Sequence, residues 1–162
     1  MRTASALLAS TAATWASYYS AHPFVALAVR WLHLSGLVGG GGAAVVADRR
    51  VLGAGEDDRA AALAWLAASH RVVVTGLVVM ALSGALMAAA DIETFLGSKL
   101  YWTKMGLVAL LALNGAGVYR SGRRALRDPS GGGWTWVRFT STVSLVLWLL
   151  IVFVGLWLRE AA

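Results

Sequence analysis

The chain has 162 residues, 59% of them hydrophobic and 14% charged, with a formal net charge of +6 and a mean hydropathy of +0.68. That balance is too apolar for a soluble domain of this length and reads as a membrane protein. Cysteine is absent, which excludes disulfides, thiolate metal sites and covalent c-type haem attachment.

The first 24 residues, "MRTASALLASTAATWASYYSAHPF", carry a basic residue and small side chains. Their apolar stretch is short and broken by Ser and Thr, so an interfacial tail or helix is expected here rather than a cleaved signal. Four apolar stretches follow, at about 24–47, 66–90, 100–119 and 136–158. Each reaches the ~20 residues that cross a ~30 Å hydrocarbon layer. The expected fold class is therefore all-α: a single integral membrane domain, a four-helix bundle running up-down-up-down behind a short interfacial segment. The second helix is expected to open before its span, near Asp57 or Asp58, acidic residues suited to a helix N-terminus. Between the third and fourth spans, "RDPSGGGWTW" reads as a turn-rich connector in which Pro129 and three glycines stop the preceding helix. No internal repeat is visible.

The positive charge is unevenly spread. Arg49, Arg50 and Arg59 follow the first span, and Arg120, Arg123, Arg124, Arg127 and Arg138 lie around the third connection, whereas the other side has mainly Arg2, Lys99 and Arg159. This distribution argues against nucleic acid as the partner and for topology. Loops 48–59 and 120–135 are expected in the cytoplasm beside anionic lipid, with both termini outside. Aromatics fit that frame: Tyr18, Tyr19, Tyr101, Trp102 and Trp157 cluster near the predicted outer rim, and Tyr119, Trp134 and Trp136 near the inner one.

Ionisable groups inside a membrane are costly enough to count as functional candidates. They are Arg30 and His33 in the first span, His70 and Arg71 in the second, and Lys104 in the third, with Asn114 as a neutral companion. Arg30, Arg71 and Lys104 lie close enough to a rim to snorkel, and Asn114 suits an interhelical hydrogen bond. His33 is different. At ~1.5 Å rise per residue it lies about 14 Å below a rim at Phe24, so its imidazole needs a partner within the bundle: a polar side chain, a metal or haem iron. A hairpin turning near residues 51–57 puts Val74 level with His33, and His70 then differs from His33 by about 6 Å in depth; centring both spans on the bilayer gives ~11 Å instead. The glycines at 36, 39–42, 76 and 84 strip one part of each helix. Gly40 and its neighbours thus admit either a second backbone, Gly36-x-x-x-Gly40 being such a pattern, or a flat macrocycle. Arg30 and Arg71, each near a histidine, suit haem propionates.

The stretches "WLHLSGLVGGGG" and "LYWTKMGLVALLALNG" resemble a group of small bacterial four-helix membrane proteins that includes the membrane protoporphyrinogen IX oxidases and the copper-resistance D-type proteins. His33 and Lys104 match the histidine and lysine of the oxidase pattern, over a similarity extending through about residues 24–158. "ADRRVLG" and "TGLVVMALSG" also resemble uncharacterised bacterial membrane proteins. The chain departs from the oxidase pattern where a late histidine of the third helix would stand, reading "LNGAG". The resemblance implies a bacterial plasma membrane and an architecture that holds b-type haem through the first-helix histidine.

The leading expectation is a haem b protein with His33 as axial ligand and His70 as the second. Arg30, Arg71, Lys104 and Gly40 would surround the cofactor, and electrons would pass to or from a quinone, a membrane protein partner or another copy of the chain. Three alternatives stay open: a porphyrin-oxidising enzyme whose His33 and Lys104 face a tetrapyrrole, a copper-handling or transport protein using His33 with Met80, Met87 or Met105, and a cofactor-free structural subunit.

Overall fold

The computed structural model describes residues 2–125 and 132–161. Arg127 and Pro129 of the expected connector, and the C-terminal Ala162, lie outside the described residues. Among the described residues every element is helical and no strand occurs. We number the helices α1 (Arg2–Ala21), α2 (Pro23–Gly53), α3 (Arg59–Ala90), α4 (Ile92–Gly97), α5 (Lys99–Ala125) and α6 (Gly132–Ala161).

Local chemistry sets the breaks. Pro23 stands at the start of α2, where its fixed φ suits a first turn and its missing N–H costs nothing. The same ring disfavours helical geometry in the residue before it, and His22 accordingly sits at φ −120°, ψ 85°. α3 opens directly after Asp58, where the sequence places it; the Asp58 side chain makes no capping hydrogen bond, and its backbone carbonyl accepts from Ala62 N at 2.9 Å. Asp91 opens α4, its side chain accepting from Thr94 N at 3.4 Å. Ser98 then turns extended and α5 begins.

Two features of α2 depart from expectation. Its glycine run winds as a π-turn over Leu37–Gly41. The helix also continues to Gly53, so the expected 48–59 loop is confined to 54–58. The reason is burial: Val51 is 0% exposed and Asp48 3% exposed, and unwinding the last turns would bring both into the open. Likewise Arg120, Arg123 and Arg124 belong to the last turns of α5 rather than to a loop.

α2 and α3 cross backbone to backbone. A Cβ on Gly76 would lie 2.5 Å from Gly40 Cα, and one on Gly36 would lie 2.8 Å from Gly76 O. The second half of α2 packs on α6, with Gly41 against the Trp148 ring and Val51 sharing a cluster with Val137 and Trp134. α6 also carries α5 along its length, tied by Asn114 Nδ2 donating to Thr140 O at 2.9 Å. α3 and α5 touch only sparsely. α1 lies against the far end of α3, where Trp15 Nε1 donates to Leu86 O at 2.8 Å.

The outside of the molecule is greasy: Val38, Leu113 and Leu149 are each more than two-thirds exposed, more apolar surface than a soluble monomer presents. Three helices, Pro23–Gly53, Arg59–Ala90 and Gly133–Glu160, are long and apolar enough to cross a membrane. α5 is long as well, but Lys104, Asn114 and its arginines make it too polar to meet the same measure.

Candidate functional site

Polar side chains gather in two layers along the helices. The first lies toward the α1 end. Ser83 Oγ donates its only proton to the α3 backbone, at 2.6 Å to Val79 O and 3.3 Å to Met80 O, so toward the His33 ring it can only accept. His33 Nδ1, 3.0 Å away, is therefore the protonated nitrogen, and in the neutral ring the lone pair lies on Nε2. Gly84 makes room for that ring, since a Cβ there would stand 3.3 Å from His33 Cε1. On the far side Lys104 runs across Gly155, whose added Cβ would lie 3.4 Å from Nζ. Lys104 is the cation whose charge reaches the His33 imidazole. Two glycines on two helices thus give a histidine and a lysine their space.

The second layer lies toward the arginine-rich end. Because α3 and α5 barely meet, a cleft of about 770 Å³ opens between them, floored by Ala44 of α2 and by Ser144 and Trp148 of α6. Its walls are apolar, with Val73, Leu77 and Leu111 among them, and His70, Tyr119, Arg120, Arg123 and Arg124 line one end. The His70 ring stacks on Tyr119 with centroids 4.6 Å apart and planes 21° from parallel. Arg123 stands over the other part of the same layer, 5.8 Å from the Tyr119 centroid. Among the described residues none of these three arginines has an ion-pair partner; the pair found is Arg59 with Glu56, on the surface.

Beneath the cleft is a smaller cavity of about 80 Å³, which shares His70, Arg123 and Ser144 with it and adds Ser69 and Asp48. Asp48 is 3% exposed. Its carboxylate faces the hydroxyls of Ser144 and Ser141, yet Asp48 Oδ2 and Ser141 Oγ are both buried without a hydrogen-bond partner among the described residues.

The sequence-predicted residues are divided between these layers. His33 touches Gly84, and His70 stands 14 residues earlier on the same helix, about 21 Å along its axis. One iron held by both histidines is not the arrangement seen. A turn near 51–57 would set Val74 level with His33, whereas helix α2 runs through Gly53 and the turn occupies 54–58, which moves that level about four residues on; His33 in fact meets Ser83, further still. Gly40 meets the Gly76 backbone at van der Waals distance, which leaves no gap for a macrocycle at that seam. Arg30 and Arg71 are exposed, and Arg71 borders a shallow groove of about 430 Å³ on the outer face of α2 and α3. Met80 is core, packed against Gly36 and the Leu111–Trp148 cluster. Among the described residues no group of three or more His, Asp or Glu is placed to hold a metal ion.

Asp48, Ser141, Ser144, Tyr119 and Arg123 are the residues that sequence reasoning passed over. A signal existed for the first three: "TSTVS" puts four hydroxyls into the most apolar helix of the chain, and a buried hydroxyl cluster implies something polar opposite it. Compared with known proteins, the chain matches no family model, no curated protein and no solved structure.

Proposed function

We propose that this chain is an integral membrane protein in which α2, α3, α5 and α6 cross a bacterial plasma membrane as an up-down-up-down bundle, arginine-rich end in the cytoplasm, and that its α3–α5 cleft binds b-type haem. The observation that supports this reading is the cleft itself. Its volume, about 770 Å³, falls in the range of ligand sites. Its walls are apolar, an imidazole stands in one of them, and three arginines without ion-pair partners among the described residues line one end.

Those residues fit the group. His70 is an imidazole ligand of the kind haem iron takes, and Arg120, Arg123 and Arg124 bind carboxylates through charge-assisted, two-pronged hydrogen bonds. The apolar walls keep water from the macrocycle, and the nearby cations favour the less positive state of whatever they surround. When bound, haem supplies a one-electron iron couple, which suits exchange with a quinone or a membrane protein partner.

A second reading rests on the other layer. His33 and Lys104, the two residues that match the oxidase pattern, lie in one polar layer, and His33 keeps a lone pair on Nε2. A porphyrin-oxidising enzyme, with a tetrapyrrole between these two side chains, would use that pair.

The deciding experiment is the reduced-minus-oxidised spectrum and haem content of the detergent-purified protein, expressed with ample haem, for wild type, His70→Ala and His33→Ala. The expected result is haem in wild type and His33→Ala and its loss in His70→Ala. Loss in His33→Ala with retention in His70→Ala moves the cofactor to the His33–Lys104 layer and favours the second reading. A colourless wild type sinks both and leaves a cofactor-free subunit.

A further inference from the structure

The 80 Å³ cavity below the cleft holds a carboxylate that nothing in the fold explains. Asp48 is buried at 3% exposure in an α2 turn that faces α6. A carboxylate in such a place is normally paired or fully hydrogen-bonded, since stripping an unpaired charge of water costs more than a helix contact returns. Here neither condition is met. Oδ2 of Asp48 and Oγ of Ser141 stand buried without a hydrogen-bond partner among the described residues, and the space between α2, α3, α5 and α6 is hollow rather than filled.

We propose that Asp48 is an exchangeable proton-binding site, hydrated through this cavity and reached from the α3–α5 cleft. A proton answers each part of the observation. It converts the carboxylate to a neutral acid, whose O–H can be donated to the Ser141 or Ser144 oxygen it faces, so that the orphaned atoms satisfy one another. The cavity has room for about two waters at roughly 30 Å³ each, and Asp48, Ser69, Ser144 and His70 offer them polar partners. The two spaces share His70, Arg123 and Ser144, so they adjoin along one wall, and the proposed proton path runs from the cleft into the cavity. The exchange is the simple transfer of a proton from hydronium to carboxylate, releasing water, and its reverse.

A metal cation suits the place less well. The side-chain oxygens come from one carboxylate and a few hydroxyls, fewer than the six or more oxygens that a hard cation such as Ca²⁺ gathers. No second carboxylate lines the cavity: the titratable and charged groups around Asp48 are His70 from α3 and Tyr119 and Arg123 from α5, α6 contributes hydroxyls and no charge, and Arg49 and Arg50 follow on α2 itself. The route needs a cleft that holds water; a macrocycle seated there would close it, so the exchange belongs to the protein with its cleft unfilled.

The test uses dicyclohexylcarbodiimide, an apolar reagent that adds to protonated carboxyls, on the full chain in detergent, with labelled sites read by mass spectrometry. Labelling at Asp48 is expected in wild type, falling about tenfold per pH unit once the pH passes the titration point, and absent from Asp48→Asn. An infrared carboxyl-carbonyl band lost in Asp48→Asn is the second readout, independent of reagent access. Three results overturn the proposal: no labelling at Asp48 together with no such band; labelling suppressed by sodium but not by choline at fixed pH, which marks a cation site; or labelling that rises at least tenfold in Arg123→Gln, which marks Asp48 as the partner of that guanidinium. Should Asp48→Asn fail to fold, wild type at two pH values and Arg123→Gln still decide the matter.

Discussion

The two polar layers solve the same problem in opposite ways. Around His33 the ring N–H and the hydroxyl beside it are both satisfied: the Ser83 hydroxyl is spent on its own helix backbone and its oxygen receives the ring N–H, while Gly84 and Gly155 clear the volume needed. Around Asp48 two polar atoms, Asp48 Oδ2 and Ser141 Oγ, stand buried without a hydrogen-bond partner among the described residues, and the volume is left open. Satisfied polar groups with no free space hold helices together; orphaned polar groups beside a cavity belong to a place where solvent or a ligand completes the arrangement. Chemical type alone would have ranked the histidine first. Hydrogen-bond accounting ranks the aspartate first.

The largest effect should come from breaking the seam that keeps the two layers in register. In Gly76→Val, a Cβ forced to within 2.5 Å of the Gly40 Cα has only backbone to push against. It should cost about 3 kcal/mol or more, as overpacking at rigid sites does. Thermal unfolding in detergent would show it, and an unchanged midpoint would mean that the seam does not set the relative height of the layers. Ser83→Ala should come next, at about 1–2 kcal/mol, because it leaves the His33 N–H without its acceptor. Asp48→Asn should be smaller and of opposite sign, a gain within about 1 kcal/mol, since it removes a buried charge that no cation pairs among the described residues and keeps the shape. The contrast in sign between these two substitutions is the sharpest test of the comparison; equal losses from both would erase it. Smallest of all, Glu56→Gln should change stability by less than ~0.5 kcal/mol, because its bond to Arg59 lies in solvent.

The helices were largely written in the sequence because their signals are local. Pro23, the Asp57–Asp58 pair and the long apolar runs each act on their own few residues, and α2, α3, α5 and α6 contain the spans drawn from hydropathy alone. What escaped depended on distant contacts. "ADRR" looks like the start of a charged loop, and only the neighbours of Val51 and Asp48 on α6 reveal why the helix continues. The height of His33 could not be read either, because a few residues' uncertainty in the turn becomes several ångströms at the far end of a hairpin. Gly40 and Gly84 look alike in sequence, but one accepts a backbone and the other an imidazole. His70 was recognised as a candidate, though its companions were not, since Tyr119 and Arg123 reach it from a helix that scarcely touches its own.

The π-turn over Leu37–Gly41 bears on how this chain can change over evolutionary time. Such a turn stores one residue more than the α-helical path needs. Loss of a single residue within it, Gly39 for instance, whose Cβ position faces open space, would be absorbed by relaxation to an ordinary helix, with Val29 and Val51 still aimed at their present neighbours. The same loss elsewhere in α2 would rotate everything beyond it by about 100°, turning Asp48 away from the Ser141 and Ser144 hydroxyls. The glycine run is therefore the stretch of α2 where single-residue length variation among descendants should accumulate, and the remainder of the helix should keep its length.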